Sequence, residues 1–149
     1  MSDCLMYWKF FWTDYEGDPE VLNDEWYTKS EHFFKQVKPG DNLWVVVSGG
    51  TDYADEWRLL QRIHVRKLKF EGSKYERPYH ASGDPTKSPK FDIDRQSDLT
   101  PLLHKLEFAS GRRIKTKGRL IGRSLQAIRP LSDDDVVRLE DYAKGLKRR

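Results

Sequence analysis

Three tryptophans, Trp12, Trp26 and Trp57, fall at strand ends or in loops by local sequence pattern, where an indole is hard to bury completely. Rings in such places can line the mouth of a small barrel and sandwich a flat heterocycle. Stacking a base on an aromatic ring is worth about 1–3 kcal/mol. Trp8 and Trp44 sit in mid-strand positions and are read as core. A second group of residues is cationic. Arg112, Arg113, Lys115, Lys117, Arg119 and Arg123 place six cations in twelve residues with no acid between them. Arg62, Arg66, Lys67 and Lys69 add another stripe. Such groups suit a phosphate backbone bound in a salt-dependent way, and arginine adds stacking and bidentate contacts that lysine lacks. Together the two groups predict an aromatic pocket beside a surface for nucleic acid.

Other chemistry finds less support. The sequence has no glycine-rich phosphate loop. His32, His64, His80 and His104 are spaced too widely for a local metal site, so no metal or cofactor is expected. Asp133, Asp134 and Asp135 are explained by helix capping. Asp92 and Asp94 alternate on an extended segment, and nothing points to desolvation of either. His80 follows Tyr79 in a long loop. It and His64 are the candidates for general acid–base catalysis in an alternative reading, a hydrolase acting on RNA or a nucleoside. Serines such as Ser48 and Ser110 lack a nucleophile elbow. A third reading is a protein-interaction domain whose acidic half meets a basic partner.

The 149 residues fit one domain, residues 1–149. With 34% charged and 13% aromatic residues, the composition is neither that of a membrane protein nor that of a disordered chain. No apolar run approaches the ~20 residues that span a bilayer. The opening MSDCLMYWKFF carries an acid where a secretory signal has basic residues, which predicts an intracellular, cytoplasmic protein. The lone Cys4 has no disulfide partner and reads as a small buried filler. Net charge is +3. Residues 1–60 hold 5 Lys/Arg and 12 Asp/Glu, so −7, and residues 61–149 hold 22 and 12, so +10.

The elements that must carry these residues follow from periodicity and turn signals. MYWKFFW, residues 6–12, holds five rings in seven positions, and residues 5–12 read as a strand apolar on nearly both faces. TDYEGDPEVLNDEWY is acidic and turn-rich. Ser30 caps a short helix, SEHFFKQV, with Phe33, Phe34 and Val37 as its apolar stripe. Lys38-Pro39-Gly40-Asp41 turns the chain into the buried strand 42–48, which Gly49-Gly50 ends. Residues 57–70 form a long strand whose alternation slips near Arg66-Lys67, as a β-bulge requires. Residues 72–98 read as loop and 100–108 as a short helix opened by Pro101. The basic segment is a hairpin or loop, and 122–131 is the last strand. Ser132 and Asp135 predict a capping box for a terminal helix. Val136, Leu139, Ala143 and Leu146 are its buried stripe, and Asp134–Arg138 and Glu140–Lys144 are pairs on its wet side. The order predicts an α+β fold, a small mixed, partly closed β-barrel flanked by short helices.

Three segments carry a family resemblance. Tyr7-Trp8-Lys9-Phe10 resembles the opening strand of EVE domains, members of the PUA-like superfamily. Lys38-Pro39-Gly40-Asp41 with LWVVVSGG is similar to their glycine–aspartate turn and next strand. Residues Ser124–Ser132 and the acidic helix after them resemble their last strand and closing helix. The resemblance implies a pocket for a modified or flipped-out base next to a basic surface. By position, Trp12 and Ser48 would border that pocket and Trp26 would supply another wall. The segment after the first strand, FWTDYEGD, departs from the Lys-Ser-Glu-Pro type expected there, and the central Trp/Asn motif has no counterpart. The related ASCH group is the runner-up, but its Gly-x-Lys-x-x-Glu-x-Arg signature is missing. The reading is a binding module with base-pocket residues Trp12, Trp26, Ser48 and Trp57. Arg62, Arg66 and the six cations from Arg112 to Arg123 would contact the backbone of RNA or modified DNA.

Overall fold

A computed structural model describes residues 2–48 and 55–149, so the Gly49-Gly50 stop lies outside the described residues. The fold is α+β. Its strands are β1 (Asp3–Tyr7), β2 (Glu25–Thr28), β3 (Asn42–Ser48), β4 (Trp57–Phe70), β5 (Tyr79–Gly83) and β6 (Arg129–Pro130). They form one sheet in the order β2-β5-β4-β3-β1-β6. Its helices are α1 (Phe11–Gly17), α2 (His32–Gln36), α3 (Thr100–Lys105), α4 (Ile121–Ser124) and α5 (Asp133–Lys144). Among the described residues no helix is long and apolar enough to cross a membrane.

Strands β1 and β3 are parallel, with Asp3 opposite Asn42 and Tyr7 opposite Val46. A parallel pair needs a long crossover, and residues 8–41 supply it. Within that crossover β2 crosses to the far edge of the sheet and pairs antiparallel with β5. Strand β4 serves both halves. Its first part pairs with β3 and its second with β5, with register shifts between Val45 and Val46 and between Val65 and Lys67. The second shift is the bulge expected from the slipped alternation. Lys38-Pro39-Gly40-Asp41 turns as expected: Gly40 has φ +96°, and its N–H donates to the Val65 carbonyl at 2.8 Å.

The central strands are buried on both faces, and two apolar clusters divide between them. One joins Leu5, Trp44, Val46, Trp57 and Leu59 to Leu99, Leu103 and Leu139 of the helical side. The other joins Cys4, Met6, Leu43, Val45 and Val47 to Phe11, Phe33 and Val37. Burial, with Asp41 and Asp3 nearby, pushes the Cys4 thiol up to about 12, so it acts as a filler rather than a nucleophile.

Several elements differ from expectation. The first strand ends at Tyr7, not at residue 12. The Trp8 N–H makes a last bond to the Val46 carbonyl, and Phe11 N–H then donates to the Trp8 carbonyl as α1 begins. Phe11, Trp12 and Tyr15 fit one helical face, and a short apolar run cannot be told from a strand by alternation. Helix α2 starts at His32 without a side-chain cap, so Ser30 contributes only its carbonyl, to Phe33 N–H. The segment 72–98 holds β5 and a 3-10 turn, Ile93–Arg95, capped by Asp92, which accounts for the Asp92/Asp94 pair. The last strand is only Arg129–Pro130, and 121–124 is a helical turn.

The Ser132–Asp135 capping box is present at α5. The ion pairs of that helix are Arg138–Asp135 and Lys144–Asp141, one turn at i,i+3, in place of the i,i+4 pairs expected. Asp135 does more than cap. Fully buried, it accepts from the Glu107 and Phe108 N–H groups at 2.9 and 2.7 Å and from Ser132 N–H at 3.1 Å. Phe108 has φ +59°, a left-handed conformation that costs a bulky residue about 1–2 kcal/mol. The carboxylate holds this turn against the helix. Asp135→Ala leaves buried N–H donors unpaired and removes half the capping box, so a loss of about 2–4 kcal/mol in chemical denaturation is expected. A loss below about 0.5 kcal/mol would remove Asp135 from this role.

Candidate functional site

A cavity of about 580 Å³ opens where the end of β1 meets β2. Tyr7, Trp8, Lys9 and Phe10 supply one side, Glu25 through Lys29 the other, Asp14 of α1 the base, and Glu76 and Arg77 of the β4–β5 connection the rim. Trp8 and Trp26 meet at 82° with ring centroids 6.3 Å apart, so the two indoles form a corner. Trp8 is fixed there: its indole N–H donates to the Asp14 carboxylate at 2.9 Å, and Phe11 packs edge-on at 5.1 Å. Phe10 and Tyr27 are exposed aromatics on the rim, at 53% and 48%. The Trp26 indole N–H is buried with no partner among the described residues.

Strand β2 is held by a polar bridge on the opposite face from Trp26. His80 Nε2 lies 2.6 Å from Glu25 Oε2, and Nδ1 lies 3.1 Å from Glu71 Oε1. The Ser82 hydroxyl donates to Glu25 at 2.8 Å, and Tyr27 stacks on the His80 ring at 4.2 Å and 7°. His80 lies on β5, and its two ring nitrogens join that strand to Glu25 of β2 and to Glu71 just past the end of β4. His64 is similarly engaged, with Nδ1 3.0 Å from Asn42 Oδ1.

Formal charges around the cavity balance, with Lys9, Lys29 and Arg77 against Asp14, Glu25 and Glu76. Their availability differs. Asp14 and Glu25 are engaged by Trp8, His80 and Ser82. The three cations are exposed, and none has a carboxylate partner within ion-pair distance among the described residues.

Of the four base-pocket residues expected from the sequence, only Trp26 lines this cavity. Trp57 is 1% exposed; its N–H donates to the Gly118 carbonyl at 3.0 Å, and its ring meets Tyr7 edge-on at 4.9 Å. It is sealed because the segment around Gly118 covers the start of β4, so its role is to back Tyr7. Ser48 also stands behind that wall, in a side-chain hydrogen bond with Tyr7. Burial raises the Tyr7 phenol, and the Ser48 bond pulls it the other way. Trp12 is on α1; its N–H donates to the Ser48 carbonyl at 2.6 Å, and it lines a separate polar cavity with Glu56, Arg58 and Asp98. Trp8, Phe10 and Tyr27 are the rings that sequence reasoning missed. The crowding of MYWKFFW and the aromatic pair of EWYT were their signal.

The six cations from Arg112 to Arg123 are all exposed, on an irregular segment that runs into a 3-10 turn and α4 and is anchored by buried Ile114 and Ile121. Two meet acids from elsewhere in the chain, Arg113 with Glu107 at 2.8 Å and Arg119 with Asp55 at 3.6 Å. Gly122 packs against Tyr7: a Cβ there would sit 3.0 Å from Tyr7 Cε2. The strip therefore ends behind a residue that lines the cavity. Arg62 is half-buried, 5.6 Å from the Trp44 ring centroid and bonded to the Lys87 carbonyl, a packing role rather than a free backbone contact. Arg66 is exposed beside the β4 bulge.

Compared with known protein families and with curated proteins, the chain matches none. The polar bridge itself can be tested. The His80 hydrogen bond foremost holds the half-buried Glu71 carboxyl below its ordinary 4.5; desolvation opposes it, and Lys69 adds to the lowering. A depressed folded-state value gives a contribution that is complete above the ordinary value and lost as pH falls through the folded one. Glu71→Gln should therefore flatten the decline of Tm below about pH 4.5, read by circular dichroism. An unchanged decline would show that this bridge adds nothing to acid sensitivity.

Proposed function

We propose that the protein is a nucleic-acid-binding module that takes one extruded or modified base into the cavity between Trp8 and Trp26. The observation that carries this reading is the open corner of two indoles, lined also by Lys9, Lys29 and Arg77, for which no carboxylate lies within ion-pair distance among the described residues. The cavity volume lies within the roughly 300–1,000 Å³ typical of small-ligand sites. A flat base against one indole and edge-on to the other recovers about 1–3 kcal/mol by stacking. Extrusion from a duplex costs a few kcal/mol, least for a single-stranded or damaged base, so edge contacts and phosphates must supply the remainder. For edge contacts, Thr28 and Asn23 line the cavity, the Asn23 amide also donating to the Glu20 carbonyl.

The fold reading that accompanies this is a partly closed barrel of PUA-like, EVE-like type. Its support is the Trp8–Trp26 contact, which joins the turn after β1 to a strand that shares no ladder with β1, and the two register shifts along β4. Arg112, Lys115, Lys117 and Arg123 extend the phosphate path away from the cavity. A cytoplasmic setting fits a nucleic-acid reader whose lone cysteine is buried and unpaired.

The test is anisotropy of a labelled single-stranded oligonucleotide, titrated at several salt concentrations. Trp26→Ala and Trp8→Ala should each weaken binding about tenfold or more, with an unchanged salt slope. Replacing Lys9, Lys29 and Arg77 together by Ala should lower the slope of log K against log salt by about 2. Wild-type affinity in both tryptophan variants would overturn the cavity assignment.

A further inference from the structure

The connection between β4 and β5 is a tight, pinned projection. The Glu71 N–H donates to the Pro78 carbonyl at 2.7 Å and closes its base, and Tyr75 N–H donates to the Gly72 carbonyl at 3.2 Å in its tip. Gly72 has φ +109°, which the turn demands and a side chain would resist. The base is tied to β2, because Glu71 accepts from His80, and His80 also reaches Glu25. The projection thus keeps its position relative to the cavity wall.

Its tip carries Lys74, Tyr75 and Arg77. Tyr75 is 52% exposed, and the Lys74 ammonium lies 5.3 Å from its ring centroid. Glu76 and Arg77, the next two residues, line the cavity. Consecutive Cα atoms are about 3.8 Å apart, so the Tyr75 ring is attached within one residue of the mouth. A ring half in water, with Lys74 over it and Arg77 two residues on, is poorly explained by packing. It has the composition of a surface for a single strand, where rings stack on bases and cations follow phosphates.

We propose that Tyr75 stacks on the nucleotide next to the one held in the cavity, with Lys74 and Arg77 on the phosphates that flank it. This rests on the base-binding reading of the cavity and adds a second subsite to it. The cavity takes one base, and the projection takes its neighbour. A lone nucleotide occupies only the first.

The experiment uses the full chain with two probes, a single-stranded oligonucleotide and a mononucleotide, and the variants Tyr75→Ala, Tyr75→Phe and Trp26→Ala. Tyr75→Ala should weaken the oligonucleotide about tenfold and leave the mononucleotide unchanged. Tyr75→Phe should restore the oligonucleotide, since the ring and not the hydroxyl does the stacking. Trp26→Ala should weaken both probes. Oligonucleotide binding unaffected by Tyr75→Ala but reduced by Trp26→Ala would overturn the second subsite and leave the cavity standing. Equal weakening of both probes by Tyr75→Ala would also overturn it, placing Tyr75 in the cavity itself. If Trp26→Ala weakens neither probe, the underlying cavity reading fails.

Discussion

The Trp8–Trp26 corner joins the turn that follows β1 to β2 at the far edge of the sheet, and the cavity depends on that contact. In sheet order these strands are separated by β3, β4 and β5. A flat sheet with strands about 4.8 Å apart would hold them nearly 20 Å from each other. The rings instead meet at 6.3 Å. Strand β4 links the two halves of the sheet. It is fourteen residues long, pairs with β3 along its first part and with β5 along its second, and is bulged at the changeover. Bulges bend a strand and raise its twist. Gly83 permits the closest approach on the other side, since a Cβ there would stand 2.7 Å from an Ile63 methyl and 2.8 Å from the Asp24 carbonyl. The cavity thus lies between β2 at the sheet edge and the turn after β1, which supplies Trp8, Lys9 and Phe10.

The two apolar clusters have different tasks. The one beneath α3 and α5 seals Trp44 and Trp57 and uses the Asp135 carboxylate to hold the Phe108 turn. The other, on the side of α1 and α2, reaches the cavity at one end, where Trp8 and Trp26 are only partly buried against it. Core packing therefore runs out where the cavity begins. Tyr7 stands at the boundary, between Trp57 and Gly122 behind it and the cavity in front. Charge follows the same local logic. The acidic N-terminal half contributes Asp14 and Glu25 to the cavity, but each is engaged in orienting Trp8 or His80.

Much of the central sheet was legible in the sequence because its cause is local. NLWVVVS is apolar on both faces and can only be a covered strand, the alternation of β4 slips where its bulge falls, and Ser132 with Asp135 announces α5. The edges were not legible. EWYT and YHASG are short strands with polar outer faces, and their identity depends on each other across more than fifty residues. The run after Tyr7 switches from strand to helix without a glycine or proline to mark the change. That switch displaced Trp12 from the site and put Trp8 into it. The aromatic crowding was visible in the sequence, whereas which rings line the cavity depends on contacts between residues far apart in the chain. The basic segment was plain as charge, but its pairing with Glu107 and Asp55 needed the fold.

The five indole N–H resonances of the protein offer the most direct reading of the central claim, followed by NMR as a single-stranded oligonucleotide is added. The account predicts that the Trp8 and Trp26 signals move with a common saturation curve, while those of Trp44 and Trp57, sealed in the helical-side core, stay in place. Saturable shifts confined to Trp12, or no movement at Trp8 and Trp26 while the oligonucleotide is bound, would contradict it.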